Sequence, residues 1–229
     1  MSNPEQKIIY PSTCSSEQDL LEFYSAIAME KQFNLSDVIG NNNWNADIVK
    51  GEISFGENLV FPMQLLGSFS HSSNTWLWAW ANEASNLPEP LIQQSLKLKE
   101  YGEENKIDLL TVAEFEANKN DLHLIGMIAS GMFDASGYYM ADYGQGILLV
   151  TIKSDLVDNV RKDIPQTIPT TFSKVIMQLN VNHRIALKNY LKIKGYNVSE
   201  EPNRIIAEKE ASKITVEFDE MNRVTKMDV

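Results

Sequence analysis

Cysteine is nearly absent from this 229-residue chain, occurring only as Cys14, so no intrachain disulfide or cysteine-built zinc site can form and a reducing compartment is expected. Long apolar runs are missing as well. The longest uninterrupted one is the six residues Trp76–Ala81, far short of the ~20 needed for a membrane-spanning helix, and a membrane span is excluded on that ground. Basic residues are outnumbered, 20 against 31 acidic, which leaves a net charge of −11 and a pI near 4.8. Such a chain repels phosphate backbones instead of releasing their counterions, which argues against a nucleic-acid partner. Met1–Lys7 is polar and only Ile8, Ile9 and Tyr10 follow as an apolar stretch, so no signal-peptide core is read and the cytoplasm is the expected location.

Catalytic signatures are equally thin. No Gly-x-Ser-x-Gly elbow, His-Glu-x-x-His pair, Walker-type loop or Ser-x-x-Lys pattern occurs. Gly144 and Gly146 lie between two extended runs, whereas a phosphate cradle needs glycine leading into a helix, so Tyr143–Gly146 reads as a hairpin turn. Histidine is limited to His71, His123 and His183, and Asp121 near His123 is better explained as a helix cap than as a metal ligand. Asp47 and Glu52 flank a turn, where carboxylates are ordinarily solvated. Cys14 precedes a predicted helix whose dipole would favour a thiolate, but a catalytic thiol is the weaker reading. No metal and no cofactor is implied.

What is present is an ordinary globular composition, 43% hydrophobic and 22% charged, in a chain long enough to bury about 70% of its unfolded surface. Ser15 with Gln18 makes a capping box, and Leu20, Leu21, Tyr24, Ile27 and Ala28 carry a helix to about Phe33. Extended runs follow at 44–49, 52–55, 59–70 and 74–81, with Gly67 marking a bulge or a close backbone approach. Helices are expected from the Pro88–Pro90 region to Tyr101, with Gly102 as the stop, and from Asp121 to Met132. A hairpin pairs 138–142 with 147–152. Beyond Pro165 and Pro169, helices at 170–179 and 182–194 precede a three-strand meander at 204–208, 213–218 and 223–227. Without regular βαβ alternation this is an α+β fold, an antiparallel meander packed with helices. Two parts are expected, a main domain over 1–164 and a carboxyl-terminal α+β subdomain over 165–229 packed on it. The charge divides near the same place: residues 1–160 hold 8 basic and 22 acidic side chains, and 161–229 hold 12 and 9.

The most distinctive segment, Asn74–Asn82, places Trp76, Trp78 and Trp80 at every second position, on one face if it is a strand. Core packing is the favoured reading, since three exposed indoles would make an unusually large apolar patch. The alternative is an aromatic platform for a small ligand, with Gln64, Ser68, Trp80, Asn82, Tyr138 and Tyr139 as its lining.

Phe61–Ser68 (FPMQLLGS) and Thr75–Asn82 (TWLWAWAN), preceded by Ile53–Gly56, resemble an uncharacterised bacterial domain-of-unknown-function family. Tyr101–Glu104, Ala129–Gly131 with Tyr138 and Tyr139, and Asn182–Arg184 with Tyr190, Leu191 and Gly195 extend the resemblance from about Leu20 to the carboxyl terminus. It implies a bacterial cytosolic setting and a continuous unit across Pro165–Pro169, and it transfers no catalytic residues. The function expected is that of a non-enzymatic interaction protein, immunity-like or accessory, binding a basic protein partner through its acidic surface. The alternative is a small-ligand-binding protein or enzyme with a pocket beside the Trp-rich strand.

Overall fold

In a computed structural model, the amino-terminal helix outruns its sequence pattern: α1 spans Glu17–Ile39, with Leu35 and Ile39 buried at its far end. The structure describes residues 8–11, 14–162 and 164–229. The Met1–Lys7 stretch read for a leader, and Ser12 and Thr13 beside Cys14, lie outside them. The cap of α1 sits one residue later than expected. Ser16, not Ser15, accepts from the Asp19 N–H at 3.1 Å, and Asp19 replaces Gln18 as the reciprocal acceptor, taking the Ser15 N–H at 2.9 Å.

The strands β1 (Trp44–Asp47), β2 (Glu52–Phe55), β3 (Leu59–Ser70) and β4 (Thr75–Trp78) form the expected antiparallel meander. Two of these, β2 and β3, have the bounds that their alternation predicts. The Trp-rich run is shorter than expected, because the last ladder bond is Trp78 N–H to the Ala113 carbonyl at 3.1 Å and Ala79–Ala81 then coil into a 3₁₀ turn. Helices α2 (Gln93–Asn105) and α3 (Asp108–Thr111) follow, and β5 (Glu114–Glu116) pairs with β4. Gly102 does not stop α2. It lies inside the helix, where a Cβ would come within 2.6 Å of the Leu110 side chain, and the helix ends at Lys106, whose φ is 59°.

Helix α4 (Lys119–Met132) is capped by Asn118, with Asp121 as the reciprocal partner three residues in, not as the cap itself. Strands β6 (Gly137–Asp142) and β7 (Gly146–Ile152) make the expected hairpin, with Gly144 at φ 89° in its turn. Strand β7 docks along β3, completing a seven-stranded sheet. The register of that pairing shifts between Leu65 and Gly67. Before the shift Phe61, Met63 and Leu65 enter one core cluster, and after it Phe69 enters the other. The bulge thus lets a single strand supply both faces. Gly67 is required here for proximity, since a Cβ would sit 2.4 Å from the Trp76 ring and 2.5 Å from the Leu77 carbonyl oxygen.

The chain continues through α5 (Asp155–Asp158), α6 (Thr167–Gln178) and α7 (His183–Ile193) into a separate antiparallel sheet, β8 (Asn197–Glu201), β9 (Arg204–Lys209), β10 (Ser212–Phe218) and β11 (Val224–Asp228). This sheet has four strands instead of the expected three. Strand β8 escapes the sequence pattern because Asn-Val-Ser-Glu-Glu contains one apolar residue, Val198. Helix α1 contacts α4, α6 and α7. One buried cluster runs from Trp76 and Trp78 through Leu20, Tyr24 and Phe172 to Ile205, Ile214 and Val216 of the small sheet.

Candidate functional site

The indole row divides. Trp76 and Trp78 are fully buried on β4, meet edge to face with ring centroids 5.3 Å apart, and the Trp78 indole N–H donates to the Leu109 carbonyl at 3.1 Å. Those two rings are dry core. Trp80, carried off the strand by the 3₁₀ turn, is half-buried beneath the Lys99 ammonium, which stands 4.6 Å from the ring centroid. The expected single face of three indoles therefore does not exist.

The other residues expected at a shared pocket have separate surroundings. Gln64 reaches from β3 to α2: its amide donates to the Pro90 carbonyl at 2.8 Å and accepts from the Gln94 N–H at 3.3 Å. Because the cap position of α2 is Ile92, which has no polar side chain, Gln64 satisfies one of the orphan donors of that helix end. Tyr138 and Tyr139 point to opposite faces of β6, as successive strand residues must. Tyr138 is buried against Gly126 of α4, and its hydroxyl lies 2.8 Å from His123 Nδ1. Burial holds the Tyr138 phenol protonated by raising its pKa. It also lowers the pKa of His123, with Lys119 adding to the effect, which favours the neutral imidazole beside that hydroxyl. Tyr139 packs on the other side against Phe55 and Trp44. Only Ser68 and Asn82 are brought together, at a cleft of about 300 Å³ that Gly67, Ala79, Tyr143 and Leu148 also line. The Asn82 carbonyl oxygen is already engaged there, accepting from the Ser85 N–H at 3.1 Å.

Cys14 lacks the environment of a nucleophile. Burial, reinforced by the negative charge of Asp19, pushes its thiol up to about 11, so the reactive thiolate is suppressed. Among the described residues no group of three or more His, Cys, Asp or Glu side chains is arranged to hold a metal ion, and no helix is long and apolar enough to cross a membrane.

Two features stand out instead. The first is electrostatic. Between residues 83 and 116 the chain carries Glu83, Glu89, Glu100, Glu103, Glu104, Asp108, Glu114 and Glu116, all exposed, against Lys97, Lys99 and Lys106. Within that stretch, Glu103 with Lys99 at 3.7 Å is the one ion pair among the described residues. Its last two carboxylates ride on β5, which pairs with β4 alone. The second is a larger cleft, about 490 Å³, between α1 and α6. The sequence reading missed its residues, Asn34 and Arg161 among them. The available signal was Thr167, Thr170, Thr171 and Lys174 at helical spacing opposite a polar stripe on α1.

No curated protein and no solved structure matches the chain. A model of a family of unknown function, DUF6882, matches residues 18–153, the span from α1 to the end of β7, and it stops short of the carboxyl terminus to which the sequence resemblance was read. With more than half of its length covered, from the first turn of α1 to the close of the large sheet, the chain belongs to this family of unknown function.

Proposed function

We propose that this is a non-enzymatic interaction protein of the bacterial cytoplasm that docks a basic protein partner on its acidic 83–116 stretch, as an immunity or accessory factor would. The observation that carries this reading is the set of exposed carboxylates between Glu83 and Glu116, of which Glu103 alone is paired with a cation among the described residues. Unpaired surface charge projects a field that accelerates encounter with an oppositely charged surface and selects against acidic ones. The dry state of Trp76 and Trp78 supports the same reading, since it leaves no aromatic platform for a ligand on β4.

The test is affinity capture from native lysate across a salt ladder, followed by binding kinetics with the purified partner. A basic protein should be retained at about 0.1 M salt and released toward 1 M, as the Debye length falls from ~10 Å to ~3 Å. Replacing Glu100, Glu104, Glu114 and Glu116 by Gln together should slow association about tenfold or more while leaving dissociation nearly unchanged. Retention of a partner indifferent both to salt and to the fourfold replacement would overturn the proposal.

A further inference from the structure

The α1–α6 cleft is built from two facing helical stripes. Glu30, Asn34 and Asp37, with Phe33, recur at helical spacing on α1, and Thr167, Thr170, Thr171 and Lys174 do so on α6. Arg161 closes one end by pairing with the Asp37 carboxylate. At about 490 Å³ the space falls within the roughly 300–1,000 Å³ of small-molecule sites.

The decisive group is Asn34. It is 6% exposed, it lines the cleft, and its side-chain carbonyl oxygen has no hydrogen-bond partner among the described residues. Buried polar atoms are almost always satisfied, and an orphan acceptor in a residue that lines a cleft can be completed by a donor arriving from that cleft. The charges of the same wall are already matched. Lys194 holds both oxygens of Glu30, at 2.7 and 2.9 Å, with the Tyr190 hydroxyl donating to the same carboxylate. Asp37 is held by Arg161. Lys174, exposed at the rim, is the remaining charge among the described residues of the lining. Away from Lys174 a charged ligand would have to break these pairs, whereas a neutral one need only supply O–H groups. Thr167 spends its hydroxyl proton on the Ile164 carbonyl at 2.7 Å and keeps acceptor capacity. Phe33 and the threonine methyl groups offer apolar area between these polar points.

We propose that the cleft between α1 and α6 is a binding site for a neutral polyhydroxylated small molecule, a hexose or similar polyol, with one ligand hydroxyl donating to Asn34 Oδ1 and the C–H face of the ring lying toward Phe33. This site is independent of the acidic stretch. A ligand here touches both α1 and α6, so it bridges the segment matched by the family model and the part of the chain beyond it.

The experiment follows the Asn34 side-chain amide resonances of the full-length ¹⁵N-labelled protein, together with its melting temperature. Glucose, galactose, mannose, N-acetylglucosamine and myo-inositol are titrated in turn, with glucose 6-phosphate and glutamate as charged comparators. At least one neutral member should move the Asn34 resonances saturably and raise the melting temperature. Thr170→Trp, introduced from an exposed position, should fill the mouth and abolish both responses while the unliganded protein melts as before. Asn34→Leu removes the orphan acceptor, so it should raise the melting temperature of the unliganded protein and weaken sugar affinity about tenfold or more. Silence of the Asn34 resonances across the neutral panel, a response to the charged comparators alone, or an undiminished response in Thr170→Trp would each overturn the assignment.

Discussion

Carboxylates at the β5 end of the large sheet and carboxylates on the four-stranded sheet are differently employed. In the small sheet and the turns around it, Glu200 meets Lys188 at 2.7 Å, Glu201 meets Arg204 at 2.7 Å, Glu208 meets Lys213 at 3.2 Å, Asp219 meets Arg223 at 2.7 Å and Asp228 meets Lys226 at 2.6 Å. Across 83–116 one pair forms among the described residues, at 3.7 Å. Composition alone does not explain the contrast. Lys97 and Lys106 lie within a few residues of Glu100, Glu103, Glu104 and Asp108 on or beside α2, yet none of these carboxylates pairs with them. Pairing in the small sheet follows from cross-strand neighbours such as Glu208 and Lys213 and from tight turns such as Asp219–Arg223. Because exposed pairs contribute little to stability, the lesson is about the field each region projects. One region cancels its charge locally and the other broadcasts it.

If the broadcasting region owes its stability to the indole core, truncating that core should be the costliest single change. Trp76→Ala should destabilise by about 3–5 kcal/mol, the usual range for an aromatic lost from a full core, read as a shift in the urea midpoint. Trp76 is 0% exposed and packs against Gly67 and Trp78, so the surroundings have little freedom to collapse. A loss under about 1 kcal/mol would place the core elsewhere and dissolve the contrast. Next in size is Glu30→Ala, which attacks the joint between the regions. Glu30 and Lys194 are 13% and 10% exposed, and removing the carboxylate strands a buried ammonium along with the Tyr190 hydroxyl. Breaking such a pair costs about 3 kcal/mol, the low end of its class, because the Lys194 stem can swing toward water. Tyr190, whose phenol is raised far above its ordinary value by burial and by Glu30, should then titrate at lower pH in an ultraviolet difference spectrum.

The strands of the large sheet other than β5, which the sequence pattern leaves unassigned, were readable because their chemistry is local. The alternation of Ile53 and Phe55, and of Phe61, Met63 and Leu65, needs no partner to declare a face. The site was much less readable. Asn34, Ser36 and Asp37 look like turn residues, and Leu35 and Ile39 continue the helix past them only because both find burial in the tertiary structure. The cleft depends on that continuation, and its end wall, Arg161 on Asp37, joins residues more than a hundred positions apart. Tyr138 and Tyr139 carried a reliable signal of a different kind: adjacency on a strand sends them to opposite faces, which separates them whatever their chemistry suggests. Gln64 misled for a related reason. A polar residue in an apolar strand can serve a neighbouring helix end as readily as a ligand, and here it serves α2.

The smallest expected effect separates the two charged regions most directly. Glu200→Ala removes an acceptor shared by Lys188 at 2.7 Å and Arg184 at 3.7 Å. The neighbouring cations hold the Glu200 carboxyl below its ordinary range, the Lys188 hydrogen bond first among them. With Glu200 40% exposed, screening limits the loss to about 0.2–1 kcal/mol. The depressed pKa means that this contribution is present above the unfolded carboxyl value and fades as pH falls through the lower folded one. Glu114→Ala on β5 has no pair to lose among the described residues. It should leave stability within about 0.5 kcal/mol of the parent, with any change toward greater stability because a like charge has been removed. Raising salt to about 1 M shortens the screening length to ~3 Å and should draw both variants toward the parent, from below for Glu200→Ala and from level or above for Glu114→Ala. Equal losses in the two variants at low salt would mean that the β5 carboxylates are as well compensated as those of the small sheet, and the acidic stretch would then have no field to offer a partner.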